Sequence, residues 1–164
     1  MNGWFGRPKE ASAPVSHVKS CAVYLSRSQP YSALVATHYN DDGLYWESDD
    51  VWTGSWANAD DLGGALKRAF FASEPRILAD RVGRKQTDHA AYRLSGERSL
   101  KSFASAFVRY SVRGANDANI TAVAMSQEIN NGVSLSAACN PGVVDMFGAM
   151  LIELQNCFIR WEDR

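Results

Sequence analysis

The chain has 164 residues, 46% hydrophobic and 21% charged, with 17 Lys and Arg against 18 Asp and Glu for a formal net charge of −1. This length and composition suit one compact domain and speak against a disordered or fibrous chain. The near-neutral total lacks the basic excess usual in a nucleic-acid-binding domain, and no apolar run approaches the ~18 residues of a membrane span.

Residues 1–14 contain Gly3, Gly6, Pro8 and Pro14 without periodicity. They read as a loose arm, and residues 15–164 as a single domain. Met1 to Pro14 also lacks the apolar stretch and small-residue cleavage site of a secretory signal, so the expected location is the cytoplasm. Beyond the arm, His17 to Ser26 and Ala33 to Tyr39 are rich in β-branched and aromatic residues and flank Ser28-Gln29-Pro30, which predicts two strands and a turn. Asp42-Gly43 predicts a tight turn into a third strand, Leu44 to Glu47.

The first helix is marked by Leu62, Ala65, Leu66, Ala69 and Phe70, one apolar stripe at helical spacing. Asn58 is its N-cap, Asp60 and Asp61 favour the positive end of its dipole, and Lys67 and Arg68 lie toward the other end, with Pro75 as the stop. Gly63 and Gly64 weaken a helix unless another backbone approaches there. Arg76 to Ser95 shows no defensible period and reads as loop with room for one short helix or edge strand. Leu100, Phe103, Ala104, Phe107 and Val108 repeat the helical stripe, then Asn119 to Glu128 and Val133 to Ala138 flank the hairpin signal Asn131-Gly132. Asn140-Pro141 opens a last helix with the stripe Phe147, Met150, Leu151, Leu154 and Phe158, expected to bury fully. The resulting fold is α+β: an antiparallel sheet of about five strands with about three helices packed on one side.

Charge is unevenly distributed. Ser28 to Leu66 has no Lys or Arg but seven acids, Asp41, Asp42, Glu47, Asp49, Asp50, Asp60 and Asp61, whereas Lys67 to Arg113 carries eleven basic residues against four acids. Tyr39, Tyr45, Trp46, Trp52 and Trp56 sit within the acidic block. Aromatics among carboxylates suit a surface that engages a basic protein, and one face of an edge strand cannot easily bury three tryptophans. The expected partner-binding residues are therefore Asp41, Asp42, Trp46, Glu47, Asp49, Asp50, Trp52, Trp56, Asp60 and Asp61. Tyr92 and Tyr110 alone do not furnish the basic block with a stacking platform for single-stranded nucleic acid.

Constellations for catalysis or metal binding are not apparent. His17, His38 and His89 lack metal-ligand spacing, Cys21, Cys139 and Cys157 read as reduced core thiols, and there is no nucleophile elbow, phosphate loop or dinucleotide fingerprint. Asp41-Asp42-Gly43 departs from a calcium loop, and Asp49 and Asp50, adjacent on a strand, point to opposite faces. No cofactor or metal is expected. Two alternatives stay open: a small cytosolic enzyme or nucleotide-binding domain using His38 with Asp41 or Asp42, and a nucleic-acid binder using residues 67–113.

Over residues 30–138, the run "ANADDLGGALKRAFFAS" followed by "GERSLKSFASAFVRYSV" and a hairpin resembles the small immunity proteins of bacterial contact-dependent growth inhibition systems. The similarity lies in the Leu62 to Leu66 and Ser99 to Phe103 helices. It implies a cytosolic α+β protein without enzymatic activity that binds and neutralises a cognate toxin domain, often a nuclease. It assigns no contact residue. A nuclease must attract phosphate and is correspondingly basic, so clustered carboxylates match its field.

Overall fold

A computed structural model describes residues 18–28, 30–41, 44–76, 89–114, 122–126, 134–137 and 141–162. The N-terminal arm, His17, Asp42, Cys139, Asn140 and the Asn131-Gly132 turn lie outside them. The elements are β1 (Ser20–Ser26), β2 (Ser32–Asp41), β3 (Leu44–Ser55), α1 (Ala59–Ala72), β4 (Glu74–Pro75), α2 (Ala90–Ser95), α3 (Leu100–Ala106), β5 (Phe107–Gly114), β6 (Ala122–Ser126), β7 (Ser134–Ala137), a 3-10 helix (Pro141–Met146) and α4 (Phe147–Glu162). The architecture is α+β. Six antiparallel strands run in the order β3-β2-β1-β5-β6-β7, and the two-residue β4 pairs parallel with β2.

One face of the sheet carries the main core. Val23, Leu25, Val35, Val108, Tyr110 and Val112 point there by strand alternation, and Leu62, Leu66, Phe70, Phe147 and Leu151 meet them from α1 and α4. Tyr110 donates its hydroxyl hydrogen to Gln155 Oε1 at 2.7 Å, and Gln155 Nε2 donates to the Ser26 carbonyl at 3.1 Å, so a fully buried amide is satisfied inside this core. The opposite face carries a smaller apolar cluster, where Tyr24, Leu34, Ala36 and Phe107 meet Ala91 of α2 and Phe103 of α3. Helices therefore pack on both faces, not one. The short α2 and α3 lie apart from α1 and α4 because their few apolar side chains match the alternate set of strand residues.

Two element boundaries differ from the periodicity. Phe107 and Val108 continue the spacing of the 100–104 stripe, yet α3 stops at Ala106 and Phe107 begins β5. From there, strand alternation wins: Val108, Tyr110 and Val112 are fully buried beside β1, a larger apolar burial than one more helical turn provides. β3 likewise runs on from Glu47 to Ser55, paired with β2 through a register shift between Ala36 and His38. The hairpin strands appear as β6 and β7. On α4, Phe147, Leu151 and Phe158 are buried, but Met150 and Leu154 are only half-buried at the margin.

The α1 termini follow local chemistry. Asn58 Oδ1 accepts from the Asp60 and Asp61 amides at 3.1 and 3.2 Å. At the other end no basic residue occupies the last turn; Lys19 of the β1 approach donates to the Phe71 and Ser73 carbonyls at 3.0 and 2.9 Å, while Lys67 instead reaches Asp145. Of the glycine pair, Gly63 faces the Asp145 backbone so closely that a Cβ would overlap its carbonyl oxygen; Gly64 has only ordinary room.

Candidate functional site

Among the described strands β3 lies at one edge of the sheet and β7 at the other, and Asp49, Asp50, Thr53 and Gly54 are exposed along β3. Strand alternation sends Asp49 and Asp50 to opposite faces. Asp49 lies on the α2 side, where Arg93 Nη2 approaches it at 3.0 Å, and Asp50 borders a groove on the α1 side together with Trp52, Thr37, Ala65 and Arg68. The Trp52 indole lies across Gly54, whose missing Cβ leaves room for the ring. On the other face a second groove is bounded by Leu34, Thr53, Gly54, Leu94 and Phe107.

Asp60 and Asp61 are exposed in the first turn of α1, where Asn58 Nδ2 donates to Asp61 at 2.7 Å. Five residue steps along the strand lead from Asp50 to Ser55, roughly 17 Å at the strand rise. The acidic stretch is thus two surfaces, the β3 edge and the start of α1. Asp41 ends β2, opposite Leu44.

Three expected contact residues do not stand free. Trp56 is 5% exposed in the main core, its Nε1 donating to the Ser26 carbonyl at 3.0 Å and its ring 4.7 Å from Tyr31. Its amide also donates to the Tyr31 carbonyl, holding Tyr31 in a left-handed conformation (φ 58°) at the β1–β2 turn. Trp46 is half-buried. Glu47 is 5% exposed, beneath the second face.

Glu47 belongs to a buried polar network that sequence spacing did not indicate. The Tyr24 hydroxyl donates to Glu47 Oε1, Arg109 Nε donates to Tyr24 Oη at 3.0 Å, Arg109 Nη2 lies 3.5 Å from Oε1, and His89 Nδ1 lies 3.5 Å from Oε2. No hydrogen bond joins His89 to the carboxylate, and Oε2 has no hydrogen-bond partner. Burial alone would raise the Glu47 carboxyl, but His89, Tyr24 and the Arg109 charge outweigh it and hold it below the ordinary glutamate value. Burial, with the Glu47 charge beside it, pushes the Tyr24 hydroxyl well up.

His38, cross-strand from Glu47, is 3% exposed and hydrogen-bonded through Nδ1 to Ser20 Oγ at 2.7 Å. Burial lowers its pKa to about 4, so at neutral pH it is uncharged. Among the described residues its partners are Ser20 and, electrostatically, chiefly Glu47. Ser20 is only 1% exposed, which leaves no approach for a substrate carbonyl. Cys21 is buried, with its thiol pushed up to about 12 by burial, whereas Cys157 is exposed on α4 and is not a core thiol.

The charge blocks interleave on this face: Arg93 meets Asp49, and Arg109 meets Glu47. Arg76 and Arg113 lie over the Tyr39 and Tyr45 rings at 4.8 and 4.9 Å. Among the described residues, no His, Cys, Asp or Glu group has metal-site geometry, and no helix is long and apolar enough to cross a membrane. The chain matches no protein family, curated protein or solved structure.

Proposed function

We propose that this chain is an immunity protein that binds and neutralises the toxin domain, a basic nuclease, of a cognate contact-dependent inhibition effector in the cytoplasm, without catalysing a reaction itself. The observation that carries this reading is the exposure of Asp49 and Asp50 on a strand that no further described strand covers, beside the half-buried Trp52. Carboxylates there accelerate encounter with a positively charged cleft, and the indole supplies an anchor that slows release. Of the two tryptophans Trp52 and Trp56, only Trp52 serves as the anchor, because Trp56 is buried, and Glu47 supports the surface from below instead of touching the partner.

The test is co-expression with the product of the adjacent upstream gene. This chain should abolish growth arrest, and the double variant Asp49→Lys/Asp50→Lys should associate more slowly with that product, most visibly at low salt, where the Debye length exceeds ~10 Å. Persistent arrest in the presence of this chain, or turnover of nucleic acid or a nucleotide by the chain alone, would defeat the proposal.

A further inference from the structure

The outward polar groups of β3 can be assigned residue by residue. The Trp56 amide donates to the Tyr31 carbonyl at 2.9 Å, which makes Tyr31 and Trp56 a bonded pair of the antiparallel ladder. Bonded and non-bonded pairs alternate, so Ala33–Gly54 and Val35–Trp52 exchange hydrogen bonds, while Ser32–Ser55, Leu34–Thr53 and Ala36–Val51 do not. Val51, Thr53 and Ser55 consequently direct both N–H and C=O away from β2. Among the described residues no strand takes up these groups, and Thr53 and Gly54 are exposed. This is a template for one more strand.

Side chains of an added strand alternate between the two faces of a sheet, and here each face offers a groove beside the same stretch of β3. On the α1 side, the β3 wall consists of Trp52 and Asp50, with Arg68 on the facing helix wall. That β3 wall fits a basic side chain whose aliphatic stem lies on the indole and whose cation meets the carboxylate. On the α2 side, Leu34, Leu94 and Phe107 form an apolar wall, and Leu94 is 54% exposed.

We infer that the β3 edge takes up an extended segment of a basic partner protein as an added strand, with a basic side chain toward Asp50 and Trp52 and the neighbouring apolar side chain toward Leu94. Main-chain bonds at Val51, Thr53 and Ser55 give affinity, and the two grooves give specificity. A second copy of the chain fits less well, because an antiparallel β3–β3 pairing brings acidic edges together. The inference rests on the reading of β3 as the partner surface and specifies how the partner is held.

The experiment uses the full chain with short peptides in which Lys and Val alternate, and a Glu-Val counterpart as the charge control. The Lys-Val peptide should slow amide exchange at Val51, Thr53 and Ser55 and shift Trp52 emission; the Glu-Val peptide should do neither. Thr53→Pro removes an outward N–H without touching the β2 ladder and should weaken binding about tenfold, the scale of one lost hydrogen bond, whereas Thr53→Ala should bind like the parent. If Asp49→Lys/Asp50→Lys weakens binding but Thr53→Pro does not, and the three amides exchange unchanged, strand addition is wrong while the acidic surface stands. If the charge reversal also leaves protection against the upstream gene product intact, the partner-surface reading fails as well. Protection of the same amides in a peptide-free dimer would assign the edge to a second copy and overturn the inference, as would equal binding of the Glu-Val peptide or no binding of either.

Discussion

Gly63 of α1 and Gly148 of α4 meet backbone to backbone: a Cβ on Gly148 would overlap the Gly63 amide nitrogen and Cα, and one on Gly63 would overlap the Asp145 carbonyl. The two main helices are thereby drawn together over the core, and side chains at either position would push them apart. Gly63→Ala and Gly148→Ala should each destabilise the fold by about 1–3 kcal/mol through overpacking. Gly64→Ala should instead be neutral or stabilise by up to about 1 kcal/mol, because only an Arg68 nitrogen lies near and Ala is the better helix former. Denaturant midpoints of the three variants separate these outcomes.

His38 gives the fold a defined acid sensitivity. Its folded pKa of about 4 lies below the ordinary value of 6.5, so between these limits the unfolded chain binds a proton that the folded chain refuses. Stability from this group is complete above pH 6.5 and falls as pH is lowered toward 4, by on the order of 3 kcal/mol in total. Glu47, with its pKa lowered, adds stability that is lost only below the ordinary glutamate range. Urea midpoints at several pH values should fall between pH 6.5 and 4 for the parent and stay flatter over that window for His38→Gln. Equal slopes would contradict the assignment.

Trp56→Ala should cost about 3–5 kcal/mol, since it empties a core site and removes the bond to Ser26. Trp52→Ala should cost clearly less stability yet weaken partner binding more, because its ring is half-buried at the rim of the groove. Unfolding midpoints measured beside dissociation rates would reveal whether the two tryptophans divide their roles in this way.

Leu66→Ala and Leu151→Ala should each destabilise by about 2–5 kcal/mol, both side chains being fully buried where α1 and α4 meet the sheet. Leu154→Ala, at the half-buried margin, should fall below that range. A Leu154 variant as damaged as the other two would mean that α4 is rotated about its axis relative to the described packing.

The local grammar of α1 was readable from one stretch of chain, because the Asn58 cap, the acidic first turn and the stripe ending at Phe70 depend on neighbours a few residues apart. The close approach at Gly63 was also readable as a cost requiring an explanation, though nothing local separated Gly63 from Gly64. The exposed acids Asp49 and Asp50 were legible as binding candidates, since long charged runs without counter-charges stand out in composition.

Other features depended on contacts between residues far apart in sequence. Phe107 and Val108 satisfy a helical stripe and a strand equally well, and only burial beside β1 decides for the strand. Trp56 and Glu47 lie in the same acidic, aromatic stretch as Asp49, Asp50 and Trp52, yet Ser26, Tyr31, Tyr24, His89 and Arg109 draw them inward from elsewhere in the chain. The acidic and basic blocks are separated in sequence but meet across the sheet because β5 and α2 lie against β1–β3. Sequence by itself therefore determined the α+β class, the α1 cap and the candidate acids, all set by neighbouring residues or by composition. Tertiary structure decided that β3 lies at an edge of the sheet, that Trp56 is buried while Trp52 stays half-buried at a groove, and that Glu47 is buried, since each depends on what distant segments cover.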